Sequence, residues 1–117
     1  MYRQLNRPQP IGPVKVTTPG TAVSLVATLI ANSLCAPGEP VCVNKIDIQA
    51  LPANTGSVYI GFAGMNRATL ANVIAVLRSG QDWSVTNNVG INTYSADTMF
   101  IDADNPGEGV FGSIDAN

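Results

Sequence analysis

The sequence predicts an all-β fold: an antiparallel β-sandwich of jelly-roll-like type, preceded by an extended N-terminal arm. After residue 13, short apolar segments recur at intervals of about eight to twelve residues, a spacing typical of sandwiches and barrels. Pro, Gly and Asn residues that favour turns separate these segments. The length of 117 residues fits a single domain. We therefore divide the chain into an arm, residues 1–13, and a β-sandwich domain, residues 14–117.

The arm differs from the rest of the chain in composition. It holds three of the eight prolines, two arginines and no acidic residue. Such a segment favours extended polyproline conformations and does not form a core by itself. The arm is either a disordered tail or an extended contact to another copy or a larger assembly, with Ile11 as one apolar anchor. The contact residues predicted in the arm are Tyr2, Arg3, Leu5 and Arg7.

The first strands are predicted at Val14 to Thr17 and Ala22 to Leu29, separated by the turn dipeptide Pro19-Gly20. Further along, Val43 to Leu51 and Ser57 to Phe62 alternate in polarity as half-buried strands do. The residues between them favour a turn, and Asn54 and Gly56 are suited to positive φ. We therefore predict that these two strands form a hairpin.

The stretch from Asn66 to Leu77 fits two structures. Leu70, Val73, Ile74 and Leu77 have the spacing of an amphipathic helix, and Ser79-Gly80 would end it. The β-branched run from Val73 to Leu77 also reads as a strand. We favour the strand because the surrounding elements are predicted to be β.

The last third of the chain again alternates between strands and turns. At its end, Pro106 and Gly107 occupy the two central positions of a predicted type II turn. The two strands that this turn joins are predicted to form a terminal hairpin. The predicted elements are a strand at Asp82 to Val85, a loop at Asn87 to Asn92, and strands at Thr98 to Asp104 and Val110 to Ile114.

Charge and composition exclude several classes of function. Charged residues make up 12% of the chain and the net charge is −2, which is too weak and of the wrong sign for a general nucleic-acid binder. The chain contains no histidine, so the commonest acid–base group near neutral pH is missing. A surface so poor in charge is expected to face other protein. The interface residues predicted in the sandwich are Arg67, Arg78 and Trp83.

The sequence contains only incomplete signals for a metal site, a disulfide and a membrane-spanning segment. Asp102, Asp104 and Asn105 resemble the start of a calcium loop, but Pro106 and Ser113 break the pattern. Cys35 and Cys42 enclose a short turn-rich loop, so they are either bridged or two reduced thiols. The apolar run at residues 22–31 is too short to span a bilayer. We predict a soluble, unexported protein with no cofactor, metal or membrane contact.

Three segments resemble small β-sandwich structural proteins of tailed bacteriophages. They are residues 47–61 (DIQALPANTGSVYIG), residues 65–69 (MNRAT) and residues 100–105 (FIDADN) with the following glycines at 107 and 109. The resemblance covers about Val14 to Ile114. It implies a virion component, a decoration or cement protein bound to the outer surface of the capsid, commonly as a trimer, and it carries no catalytic residues.

The function expected from the sequence is therefore structural and non-enzymatic. The expected partners are the major capsid protein and other copies of the chain, in a homo-oligomer that the resemblance implies to be a trimer. The expected location is the outer surface of the virion. The alternative is a neck or tail component, or a host-adsorption module that binds carbohydrate through its loops.

Overall fold

The structure is a computed structural model that describes residues 9–27, 42–86 and 94–115. Residues Ala96–Thr98 form a 3-10 helix, and the sandwich itself is built from strands. The strands are β1 (Gln9–Pro10), β2 (Val14–Val16), β3 (Val23–Ser24), β4 (Cys42–Val43), β5 (Lys45–Ala50), β6 (Val58–Phe62), β7 (Val73–Leu77), β8 (Asp82–Thr86), β9 (Tyr94–Ser95), β10 (Met99–Ala103) and β11 (Glu108–Asp115).

Two antiparallel sheets face each other. In the first sheet, β11 pairs with β5 on one edge, and β5 pairs in turn with β8. The other edge of β11 is shared by β2 and β1, which pair with successive stretches of it. The second sheet has the order β3-β10-β6-β7, and β4 and β9 form a separate short ribbon. Each sheet is thus four strands wide.

The strand pairs are nested along the chain. β6 pairs with β7, β5 with β8, β3 with β10, and β2 with β11. A ribbon of nested antiparallel pairs, rolled so that successive pairs fall alternately in the two sheets, is the topology of the jelly roll. The predicted all-β sandwich is therefore confirmed.

The core lies between the sheets and is built from alternate residues of the strands. In β5, Ile46, Ile48 and Ala50 are buried while the residues between them are not. Each fully buried Val, Leu or Ile side chain contributes about 1.5–3 kcal/mol to folding. The largest buried side chains are Ile11, Leu25, Ile46, Ile48, Ile60, Ile101 and Ile114.

Both predicted hairpins are wrong. β5 and β6 belong to different sheets, and so do β10 and β11, so residues 51–57 and 104–107 cross from one sheet to the other. Neither Asn54 nor Gly56 has positive φ. Gly56 is required for space instead, because a Cβ there would lie 2.8 Å from Asn105 Nδ2 and 2.9 Å from Asp104 Cβ. Turn-forming residues predict where the chain reverses. They do not predict which strand the reversed chain will pair with.

The favoured strand at Val73–Leu77 is confirmed as β7. The helix is excluded locally because Leu70 and Asn72 have φ values of 64° and 58°, in the left-handed region. Asn66 holds the preceding turn, since its Oδ1 accepts hydrogen bonds from the Ala68 and Thr69 amides. The predicted turn at Pro106-Gly107 also has the expected geometry, with φ of 80° at Gly107.

Other predictions are met in part or fall outside the described residues. The predicted strand at residues 22–29 is limited to Val23–Ser24 in the described part. Of the predicted arm, Gln9–Pro10 pairs with β11 and Ile11 is buried in the core of its own chain. No helix among the described residues is long and apolar enough to cross a membrane. Outside the described ranges lie Tyr2, Arg3, Leu5, Arg7, Cys35 and the predicted loop at residues 87–92.

Candidate functional site

Four connections between the sheets lie together at one end of the sandwich, which we call the crossing end. They join β2 to β3, β5 to β6, β7 to β8 and β10 to β11. Hydrogen bonds link neighbouring connections: the Ser79 hydroxyl donates to Pro52 O at 2.6 Å, and the Gly107 amide to Val16 O at 2.8 Å. Residues far apart in sequence are therefore held side by side.

Glu108 links the β10–β11 connection to the β5–β6 connection. Its Oε2 accepts hydrogen bonds from the Thr55 amide (2.7 Å) and hydroxyl (2.9 Å), and its Oε1 accepts them from the Gly56 amide (3.0 Å) and Asn105 Nδ2 (3.3 Å). These donors favour the ionised carboxylate, so the amides of Thr55 and then Gly56 lower the pKa of Glu108 from its ordinary value of 4.5.

Asn54 makes a second link between the same two connections, and its side chain is buried. Its Nδ2 donates to Gly109 O at 2.8 Å, and its Oδ1 accepts from the Gly109 amide at 3.3 Å. The side-chain amide thus pairs with the backbone of one residue of β11 in the way that a residue of a neighbouring strand would. A buried amide without such partners would be costly.

An ionic cluster lies beside these links on the second sheet. Arg67 Nε is 3.5 Å from Asp102 Oδ2, and its Nη1 donates to Asp104 Oδ1 (3.3 Å) and Ala103 O (3.0 Å). Asp102 is buried, and its Oδ1 accepts from the amides of Gly20 (3.0 Å) and Ala103 (2.8 Å). Asp102 thereby fastens the β2–β3 connection to β10.

Tyr59 completes this cluster by donating its hydroxyl hydrogen to Asp104 Oδ1 at 2.9 Å. Burial raises the pKa of Tyr59 above its ordinary 10.0, and the hydrogen bond to Asp104 acts in the same direction. The other oxygen of Asp104 accepts from the Ser57 amide at 3.1 Å. The predicted calcium-like residues therefore bind protein donors, and the described residues include no group of three or more acids and cysteines placed to hold a metal.

A polar cavity of about 400 Å³ opens next to this cluster. Arg78, which is exposed, contributes a guanidinium group to its wall, and Asp104 contributes a carboxylate. The remaining lining residues are small and polar. The complete lining consists of Thr55, Gly56, Ser57, Arg78, Ser79 and Asp104.

A different kind of site lies at the opposite end, where β6 finishes and β10 begins. Here the edges of the two sheets leave a gap of about 160 Å³, which we call the apolar groove. Phe62 and Met99 are opposite one another in the second sheet, and Trp83 and Val85 approach from β8 of the first. The groove is lined by Phe62, Ile74, Trp83, Val85, Ser95, Thr98 and Met99.

The groove exposes large apolar side chains. Phe62 and Ile74 are 42% and 46% exposed, and Leu70 and Val76 from the same β6–β7 segment are 51% and 43% exposed. Ile74 reaches the groove because the pairing of β6 with β7 shifts between Ile60 and Gly61, which leaves Ile74 as an extra residue in β7. Gly61 permits this, since a Cβ there would collide with Asn72 O.

The predicted site residues are distributed over both ends. Arg67 belongs to the ionic cluster, Arg78 lines the polar cavity, and Trp83 lines the apolar groove. The bulge at Ile74 was not predicted from the sequence, although the isolated Gly61 in a strand pattern was an available signal. The links made by Asn54 and Glu108 were not predicted either, and they have no local signal. Comparison with known protein families, curated proteins and solved structures finds no match to this chain.

Proposed function

We propose that the protein is a non-enzymatic structural component of a tailed-bacteriophage virion, a decoration or cement protein that binds the outer surface of the major capsid lattice. Its task is mechanical. Copies that bridge neighbouring capsid subunits add buried area at the seams, and many weak contacts together oppose rupture of the shell. In this proposal the chain acts as a homo-oligomer, and the expected trimer would match three-fold positions on the lattice.

The observation that carries the proposal is the character of the surface. Charged residues make up 12% of the chain, and the described residues leave five large apolar side chains exposed, on both sheets. A protein built to remain separate from others normally carries more charge and fewer such residues. The jelly-roll topology supports the proposal because capsid proteins use this architecture, although lectins and cupins use it too.

The absence of an enzymatic role is part of the same proposal. Asp102, Asp104 and Glu108 are the acids gathered at the crossing end, and their oxygens accept hydrogen bonds from backbone amides and neighbouring side chains. A general acid or base needs an oxygen directed at a substrate. In this cluster the carboxylate oxygens instead accept the hydrogen bonds that join neighbouring connections.

The test is binding to shells assembled from the major capsid protein of the same phage. The purified chain should co-sediment with such shells, and quantitative mass spectrometry of virions should find hundreds of copies per particle. A handful of copies would instead indicate a neck or tail position, and no binding to shells would reject decoration.

The role of the arm is tested separately by deleting residues 1–8. This deletion leaves Gln9–Pro10 paired with β11 and Ile11 in the core, so the sandwich should remain folded. If Tyr2, Arg3, Leu5 and Arg7 contact the capsid, shell occupancy should fall. Replacement of the same residues by a Gly/Ser segment of equal length controls for the loss of chain length. Unchanged occupancy would show that the arm is dispensable.

The polar cavity favours one alternative, a host-adsorption module that binds carbohydrate. Arg78 and Asp104 supply a charged donor and acceptor around a space of about 400 Å³, large enough for a sugar ring. A glycan array distinguishes the two functions. Specific binding that Arg78→Ala abolishes, together with no binding to shells, would replace decoration by adsorption.

A further inference from the structure

We infer that residues 1–8, the part of the arm outside the described ranges, cross the groove end of their own chain and place the Tyr2 ring in the apolar groove. This inference goes beyond the proposed function and does not depend on it. Three features assign this occupant to the groove: the place from which the segment starts, its length, and its charge.

Residues 1–8 start from the same end of the sandwich that holds the groove. A single row of cross-strand partners joins Gln9 of β1 to Val85 of β8, through Ile114 and Ile46. Three strand spacings of about 4.8 Å separate the ends of this row, roughly 14 Å in all. Val85 lines the groove, so the segment needs to span little more than the width of the first sheet.

The length of the segment selects Tyr2. Pro8 and Pro10 favour an extended polyproline conformation. At about 3.1 Å per residue, Tyr2, seven residues before Gln9, reaches roughly 22 Å from it. Leu5 reaches only about 12 Å and stops before the end of the row. Tyr2 is therefore the large side chain of this segment that the length places at the groove.

The groove matches a tyrosine ring in size and chemistry. A cavity of roughly 150 Å³ lined by aliphatic and aromatic side chains is enough to hold benzene, and the volume here is about 160 Å³. Phe62 and Trp83 offer ring faces and edges to an incoming aromatic group. Ser95 and Thr98 also line the groove, and their hydroxyl groups can bind the hydroxyl group of Tyr2.

The charges beside the groove are opposite to those of the segment. The lining residues are uncharged, and the charged residues next to them in sequence are acids: Asp97 lies between two lining residues, and Asp82 precedes Trp83. Residues 1–8 contain two arginines, Arg3 and Arg7, and no acid. Arg3 directly follows the ring that enters the groove, so attraction to these acids adds to the apolar contact.

The short tether favours the groove of the same chain over that of another copy. A segment long enough to span the required distance gives its end an effective concentration on the order of millimolar at the site. A second copy at lower concentration competes poorly with it. Leu70, Val76 and Phe111 lie outside the groove lining and stay exposed, so apolar surface remains for the proposed function.

The experiment measures the fluorescence of Trp83, which is the only tryptophan of the chain and lines the groove. In the full chain with Tyr2→Ser, water replaces the ring, so the emission should shift to longer wavelength and quenching by acrylamide should increase. Leu5→Ser is the matched control, since it removes an apolar side chain of the same segment that does not reach the groove. It should give the native spectrum. Far-UV circular dichroism checks that both variants keep the sandwich.

A second pair of variants tests the charge. Arg3→Glu places an acid near the acids beside the groove and should shift the emission in the same direction as Y2S, whereas Arg3→Lys should not. Native emission from Y2S, or an equal shift from L5S, would overturn the inference. A difference between the native chain and Y2S that grows with protein concentration would also overturn it, because the segment would then lie on another copy. Shell binding does not enter these measurements, so the inference and the proposed function can fail separately.

Discussion

At the crossing end, the side chains of Glu108 and Asn54 make five hydrogen bonds between the β5–β6 connection and the start of β11, whereas at the groove end Phe62 and Ile74 leave nearly half of their surfaces exposed. The first end satisfies its polar groups within the chain. The second leaves large apolar side chains of the described residues exposed. The difference indicates that the crossing end maintains the fold and that the groove end is available for contacts. Four substitutions can break or sharpen this comparison.

Gly109→Ala should have the largest effect. A Cβ at this position would overlap Val14 O, a backbone atom held in the β2–β11 pair, so it cannot be accommodated without moving a strand. We expect a loss of about 4 kcal/mol in the free energy of unfolding, measured by urea denaturation. Gly107→Ala is the matched control, because its Cβ would point into open space and cost only the strain of positive φ, about 1–2 kcal/mol. Equal losses would contradict the role given to β2.

Asn54→Ala should come next, with a loss of about 2–3 kcal/mol, because it leaves the buried Gly109 amide without its partner. Asn66→Ala also removes two hydrogen bonds of an Asn side chain, but at an exposed turn where water replaces them, and should cost about 1 kcal/mol or less. Thermal and urea unfolding of both variants measures the difference. If Asn66→Ala lowers the free energy of unfolding as much as Asn54→Ala does, the burial of Asn54 does not explain its contribution to stability.

Glu108→Gln should change the pH dependence of stability. The pKa of Glu108 is lower in the folded chain than its ordinary 4.5, so the unfolded chain binds the proton more readily. The stabilisation is therefore present above pH 4.5 and is lost as the pH falls through the lower, folded pKa. The free energy of unfolding, measured at several pH values between 7 and 2, should fall less steeply with decreasing pH for the variant than for the native chain. Asp82→Asn, an exposed acid of β8 outside the links described at the crossing end, controls for the loss of one acid.

Ile74→Ser should have the smallest effect on stability, within about 0.5–1 kcal/mol, because the side chain is already half exposed. The same change is expected to weaken the contact of Tyr2 with the groove, which the emission of Trp83 reports. A large loss of stability would show that the groove is part of the core, and the contrast between the two ends would then fail.

Sequence periodicity was sufficient for the strands of five or more residues, but not for the two-residue strands β1 and β9. The alternation around Ile46, Ile48 and Ala50 places these residues in the core, and β-branched residues identify β7 within a segment that also fitted a helix. These features are local, because a strand with one buried face alternates apolar and polar residues along its own sequence. The turn at Pro106-Gly107 was predicted from another local signal, the Pro-Gly dipeptide, and Gly107 has the expected positive φ.

The partners of the strands were decided by the tertiary structure alone. A turn such as residues 52–56 serves equally in a hairpin and in a crossing between sheets, and the choice depends on contacts such as Glu108 with Thr55, 53 residues apart. The groove depends in the same way on two sheet edges meeting around Ile74 and Trp83. Composition determined that this chain has a charge-poor surface, but only folding determined where that surface is apolar, because burial is a property of the assembled sheets and not of any segment.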